Sequence, residues 1–76
     1  MKLKKLWYLQ HIISTGSFAA AARETGVSQP AITQAMQTLE NEWGIPLFEK
    51  LGRQKLPTRA ALAIAQQAAD LHGQLE

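Results

Sequence analysis

An alanine run held between two chain breaks is the feature that most restricts this sequence. Ala19, Ala20, Ala21 and Ala22 follow Gly16 and Ser17, and the stretch closes at Gly26. Gly suits the left-handed position after a helix, and Ser suits the N-cap of the next. A first helix must therefore stop at Gly16, and a short second one must run from about Phe18 to Thr25. Small side chains on that second helix let another helix cross it closely. After Gly26 and Val27, Ser28 offers a second N-cap, and Pro30 is tolerated in a first turn, where its missing N–H costs nothing. A third helix is expected from about Gln29 to Trp43, stopped by Gly44.

The rest follows from periodicity. Leu3, Leu6, Leu9 and Ile13, widened by Trp7 and Ile12, form an apolar stripe on the first helix. Ile32, Ala35, Met36, Leu39 and Trp43 do the same on the third. Ile45 to Phe48, interrupted by Pro46, suits a loop leading into a brief strand. Lys50 to Lys55, with Gly52, reads as a turn between two short strands, after which Leu56 is expected to return to the core. Thr58 then caps a fourth helix reaching close to Glu76, about 28 Å long at ~1.5 Å per residue.

The chain has 76 residues and no cysteine, so a single domain without disulfide or zinc staples is expected, with marginal stability. An apolar share of 46% is too high for disorder. No apolar run approaches the roughly 20 residues that span a bilayer, and the start lacks the uninterrupted core of a signal peptide. A cytoplasmic location is expected. Net charge is only +2, but its distribution is informative. Lys2, Lys4 and Lys5 crowd the start, and Lys50, Arg53, Lys55 and Arg59 crowd one stretch. Glu24, Glu40, Glu42, Asp70 and Glu76 lie elsewhere, and Glu49 alone borders a basic group.

Phe18 to Leu39 thus reads as a helix-turn-helix. Ala22 is small at the crossing, Gly26 turns tightly and Ile32 docks the second helix. The same spacing serves an ordinary helical hairpin. The outward face of the third helix weighs toward nucleic acid. Gln29, Thr33 and Gln37 recur at i, i+4 spacing beside Gln34, and none is charged. Gln can pair two-pronged with adenine, and the Thr methyl can meet that of thymine. A merely solvated face usually carries Lys and Glu. Lys50, Arg53 and Lys55 around a Gly-containing turn can reach phosphates or enter a narrow minor groove, although alone they read as a solubilising turn. Ser17 and Ser28 can donate to phosphate at helix N-termini.

These residues resemble the N-terminal domain of LysR-type transcriptional regulators, over nearly the whole chain. The resemblance lies in GSFAAAA from Gly16, VSQPAIT from Val27, Leu39–Glu40, GIPLFEK from Gly44, and Thr58 before the last helix. It implies a mainly α fold: a winged helix-turn-helix with a three-helix core and a short two-stranded wing (1–57), then a long linker and dimerisation helix (58–76). It also implies sequence-specific binding of double-stranded DNA for transcription regulation, in a homodimer. Any small-molecule effector would bind a separate C-terminal domain that this chain does not contain. Positions matching Gln29, Pro30, Thr33 and Gln34 would lie at or near bases, and that matching Arg53 would contact DNA. Gln34 replaces the Arg common in the family, which moves preference from guanine toward adenine or a water-mediated contact. Pro57 stands where Leu is usual, Ala61 where Gly is common, and Leu51 makes the wing more apolar than usual.

On its own evidence the last helix carries a pairing seam at Ala61, Ile64, Ala68, Leu71 and Leu75; such a seam could also pack only on its own domain. No metal, cofactor or catalytic group is expected. His11 and His72 lack ligating companions, and no Ser has a nearby His–acid pair. Trp7 and Trp43 read as core or interface anchors. Two other classes remain open: a winged-helix module for protein contact and, far behind, an enzyme fragment.

Overall fold

The computed structural model describes the backbone of residues 2–75 and the side chains of residues 4–68. Helices α1 (Lys2–Thr15), α2 (Phe18–Thr25) and α3 (Gln29–Trp43) are followed by strands β1 (Phe48–Leu51) and β2 (Gln54–Pro57), then helix α4 (Arg59–Leu75). The fold class expected from the sequence is the one found.

Local chemistry sets the helix ends. Ser17 Oγ accepts the Ala20 N–H at 2.9 Å, and Ser28 Oγ accepts the Ala31 N–H at 3.2 Å. Each bond satisfies a donor that an α-helix leaves without a partner at its start. Gly26, at φ 77°, closes α2 by donating to the Ala22 carbonyl. That left-handed conformation is costly for any residue with a Cβ.

α1 is the hub, packing on α2, α3 and α4. Leu9, Ile32, Leu39 and Leu47 are the largest fully buried side chains, and Tyr8, Ile12, Ala21, Ala22, Ala35, Met36, Ala61 and Ala65 complete the core. The stripe read on α3 is buried as expected at Ile32, Ala35, Met36 and Leu39. Ala21 and Ala22 lie in the core, where their small size allows the close crossing of α2 and α3.

Four expectations need correction. On α1, Tyr8 is buried and Trp7 is 41% exposed, so the buried stripe is rotated toward Tyr8, Leu9 and Ile12. Trp7 instead stands edge-on to His11, with ring centroids 4.8 Å apart. Leu56 does not return to the core and is 41% exposed. The antiparallel register pairs Phe48 with Pro57 and Glu49 with Leu56. Since side chains alternate faces along a strand, half-buried Phe48 and Pro57 turn inward and Leu56 turns out with Glu49. Leu47, just before β1, fills the core place instead. The turn is also tighter than Lys50–Lys55, because Leu51 already pairs with Gln54. Gly52 and Arg53 alone make the loop, with positive φ at Gly52 only, as a type II′ hairpin requires. Finally, Ala61 is wholly shielded within this chain. It packs the domain's own core and leaves no surface for a second chain.

Candidate nucleic-acid interface

The outward side of α3 is built from the same helical period that buries its inner side. Gln29, Pro30, Gln34 and Gln37 are exposed and Thr33 is half-buried, and together these five line one shallow depression. None carries a charge. A second, continuous groove joins Gln29 and Thr33 to Gly16, Ser17 and Phe18 at the start of α2, and to Lys50, Arg53, Gln54, Lys55 and Leu56 on the wing. Elements distant in sequence thus present amides, hydroxyls and cations along one concave surface. Lys50, Arg53 and Lys55 bring positive charge to it, and among the described residues no carboxylate lines it. The residues singled out by sequence, Ser17, Gln29, Thr33, Lys50, Arg53 and Lys55, meet here. Pro30, Gln34 and Gln37 continue the surface along α3, and exposed Ser28 lies at its N-cap.

Sequence reasoning missed Gln54, Phe18 and Leu56 as lining residues. Alternation along β2 sets Gln54 with Leu56 on the face opposite Lys55, so no pattern in the sequence marks it as lining the groove. Phe18 is also the seat of the wing: its ring meets that of Phe48 edge-on, with centroids 4.9 Å apart, and Lys55 Nζ lies 5.3 Å from its centroid. Aromatic and cation–π contacts of this kind fix one element against another at modest energy. Two polar ties complete the attachment. Glu40 on α3 accepts the Leu47 and Phe48 N–H groups. Thr58 Oγ1 donates to the Pro46 carbonyl at 2.8 Å while accepting the Ala61 N–H at 3.2 Å, so the cap of α4 is also the tether of the wing.

A separate apolar groove lies between α1, the end of α3 and α4, lined by Leu6, Trp43, Ile45, Ile64 and Ala68 with Glu42 and Gln67 at its polar margins. It collects two residues of the expected pairing seam, Ile64 and Ala68; the side chains of Leu71 and Leu75 fall outside the described residues. His72 does too. His11 has a partner on α2, with Nδ1 2.8 Å from Glu24 Oε1. No group of three or more His, Cys, Asp or Glu able to hold a metal occurs among the described residues, and no described helix is long and apolar enough to cross a membrane.

Two crossed helices with a tight turn, a hairpin beside the second of them and a helix after it define a winged helix-turn-helix domain. The model for the bacterial regulatory helix-turn-helix proteins of the LysR family matches residues 3–62. The chain belongs to that family. The HTH-type transcriptional regulator AceR of Acinetobacter baumannii is 35% identical over 68 residues, covering 90% of this chain and 23% of AceR. CbbR of Xanthobacter flavus, another HTH-type transcriptional regulator, is 38% identical over 58 residues, covering 76% of this chain and 17% of CbbR. Among solved structures, the CbnR DBD–DNA complex superposes with a TM-score of 0.87 at 35% identity, covering 99% of this chain and 86% of that one. The BenM DBD/catB site 1 DNA complex gives 0.89 at 31% identity, covering 99% and 81%. The chain spans about a quarter or less of the length of AceR and CbbR.

Proposed function

We propose that this chain binds double-stranded DNA sequence-specifically and serves transcription regulation as the DNA-binding part of a LysR-family regulator. The observation that carries this reading is the pair of adjoining depressions, sharing Gln29 and Thr33, that set an uncharged row of side chains beside a cationic hairpin. α3 is the recognition helix. Gln29, Pro30, Thr33, Gln34 and Gln37 face base edges in the major groove, where amides can pair two-pronged with adenine. Lys50, Arg53 and Lys55, with the hydroxyls of Ser17 and Ser28, hold the sugar–phosphate backbone and set register without carrying sequence information. A capping hydroxyl can accept from its helix and still donate to phosphate. The DNA complexes of the structural relatives CbnR and BenM support the reading.

Residues 1–57 act as the reading unit, and 58–76 as the linker through which two copies pair. Ile64 and Ala68, in the apolar groove, and Leu71 and Leu75 beyond it supply the seam. Two copies then read two-fold related half-sites spaced by whole helical turns. The chain acts by binding rather than catalysis, in the cytoplasm, and any small-molecule effector is bound by chain beyond these residues.

The test is selection of bound duplexes from a random pool, repeated with Gln29→Ala and Gln34→Ala. The expected outcome is a two-fold related site, with base preference relaxed at defined positions by roughly 1–3 kcal/mol for a bidentate contact. A protein-contact module would select nothing and show no salt-dependent affinity for DNA. A uniform loss across all sequences would remove these residues from base reading.

A further inference from the structure

We propose that Glu40 is a positioning residue that sets where the wing stands relative to the base-reading row; this rests on the DNA-binding reading above. Its Oε2 accepts the Leu47 N–H at 2.7 Å and the Phe48 N–H at 3.2 Å. One carboxylate oxygen gathers both amides where the chain enters β1. The Leu47 carbonyl is held from the other side by the Thr58 N–H at 2.9 Å and the Thr58 hydroxyl at 3.3 Å. Bonds of amides to a carboxylate are stronger than neutral ones.

The placement of Glu40 gives this tie its consequence. It lies seven residues after Thr33 and three after Gln37, on nearly the same side of the helix, because 3.6 residues make a turn. The rigid body that carries the base-reading row thus also carries the wing's anchor, ~10 Å further along its axis at 1.5 Å per residue. The Glu40 carbonyl accepts the Gly44 N–H at 2.8 Å, so the same residue closes α3 through its backbone. Thr58 holds the neighbouring Pro46 carbonyl from the side of α4. The wing cations, which otherwise sit on a hairpin with little buried surface, are referenced to α3 through this carboxylate.

The experiment compares the unaltered chain with Glu40→Ala, Glu40→Gln, Arg53→Ala and the Glu40→Ala/Arg53→Ala pair. Two readouts are used: backbone amide relaxation and hydrogen exchange in the free chain, and the salt dependence of affinity for the selected duplex. In Glu40→Ala, residues 50–55 lose order and the Leu47 and Phe48 amides exchange faster. The salt slope falls by at least about 1, because a loosened wing weakens the phosphate contacts of Lys50 and Lys55 as well as that of Arg53. Base preference along α3 is unchanged, and Glu40→Ala costs less affinity in the Arg53→Ala background than in the unaltered chain, since Arg53 is one of the contacts through which it acts. Glu40→Gln, which keeps an acceptor oxygen without the charge, falls between. An equally ordered wing in Glu40→Ala, or losses that add in the double variant, would overturn the proposal. Should Glu40→Ala not fold, unchanged exchange of the Leu47 and Phe48 amides in Glu40→Gln would overturn it as well. If the unaltered chain binds no duplex, the functional reading fails, while the free-chain measurements still decide what Glu40 does.

Discussion

Along α3, Ile32, Ala35, Met36 and Leu39 are buried while Gln29, Gln34 and Gln37 stand in solvent on the other side. Along the wing no strand residue is buried, and only Phe48 and Pro57 are even half-shielded. Both regions hold polar side chains outward, but by different means. The helix is fixed by apolar area removed from water, worth about 25 cal/mol per Å². The hairpin is fixed by a few discrete ties: the Phe18–Phe48 ring contact, Lys55 over Phe18, Glu40 on two amides and Thr58 on a carbonyl. A two-stranded hairpin is marginal in water by itself, so the orientation of the wing is borrowed from its neighbours. The side proposed to read bases is consequently stiff and the side proposed to grip phosphate adjustable, which suits a surface that must hold register in one groove while following the backbone.

Two substitutions test this contrast. Ile32→Ala has the larger expected effect. It empties a fully buried site, costing roughly 2–5 kcal/mol, a large share of the stability of so small a domain. Thermal unfolding followed by circular dichroism should show a steep fall in midpoint, with helix and wing lost together. Phe48→Ala comes next, at about 1–2 kcal/mol for a half-buried aromatic with one ring partner. Hydrogen exchange should speed up over residues 50–55 and leave the protection of α3 nearly as it was. If both regions loosened equally, the two would be one packed unit and the contrast would be lost.

The same difference explains what could be read in the sequence. The bounds of α2 and α3 were legible because each is set by residues within a few positions: Ser17 and Gly26, Ser28 and Gly44. The outward amide row was legible because a helical period places it without knowledge of any partner. The wing was less so. Eight strand residues carry too little pattern to fix a register, and a one-residue shift exchanges the two faces of a strand. The sequence pattern therefore points Leu56 inward and leaves Leu47 unmarked for the core. Contacts across long sequence separations were hidden for the same reason. Nothing near Glu40 marks it as the partner of Leu47 and Phe48, and nothing near His11 points to Glu24. Ala61 fits a pairing seam by spacing, but the crossing of α1 and α4 buries it within the domain.

Sequence-specific binding by this chain requires that the amides of α3 meet base edges. Titrating the isotopically labelled chain with its selected duplex, and following the side-chain NH2 signals of Gln29, Gln34 and Gln37 by NMR, addresses this directly. These signals should shift and saturate with the duplex, together with the amides of Lys50 to Lys55. Unmoved glutamine signals, with changes confined to the apolar groove between α1 and α4, would contradict base reading by α3.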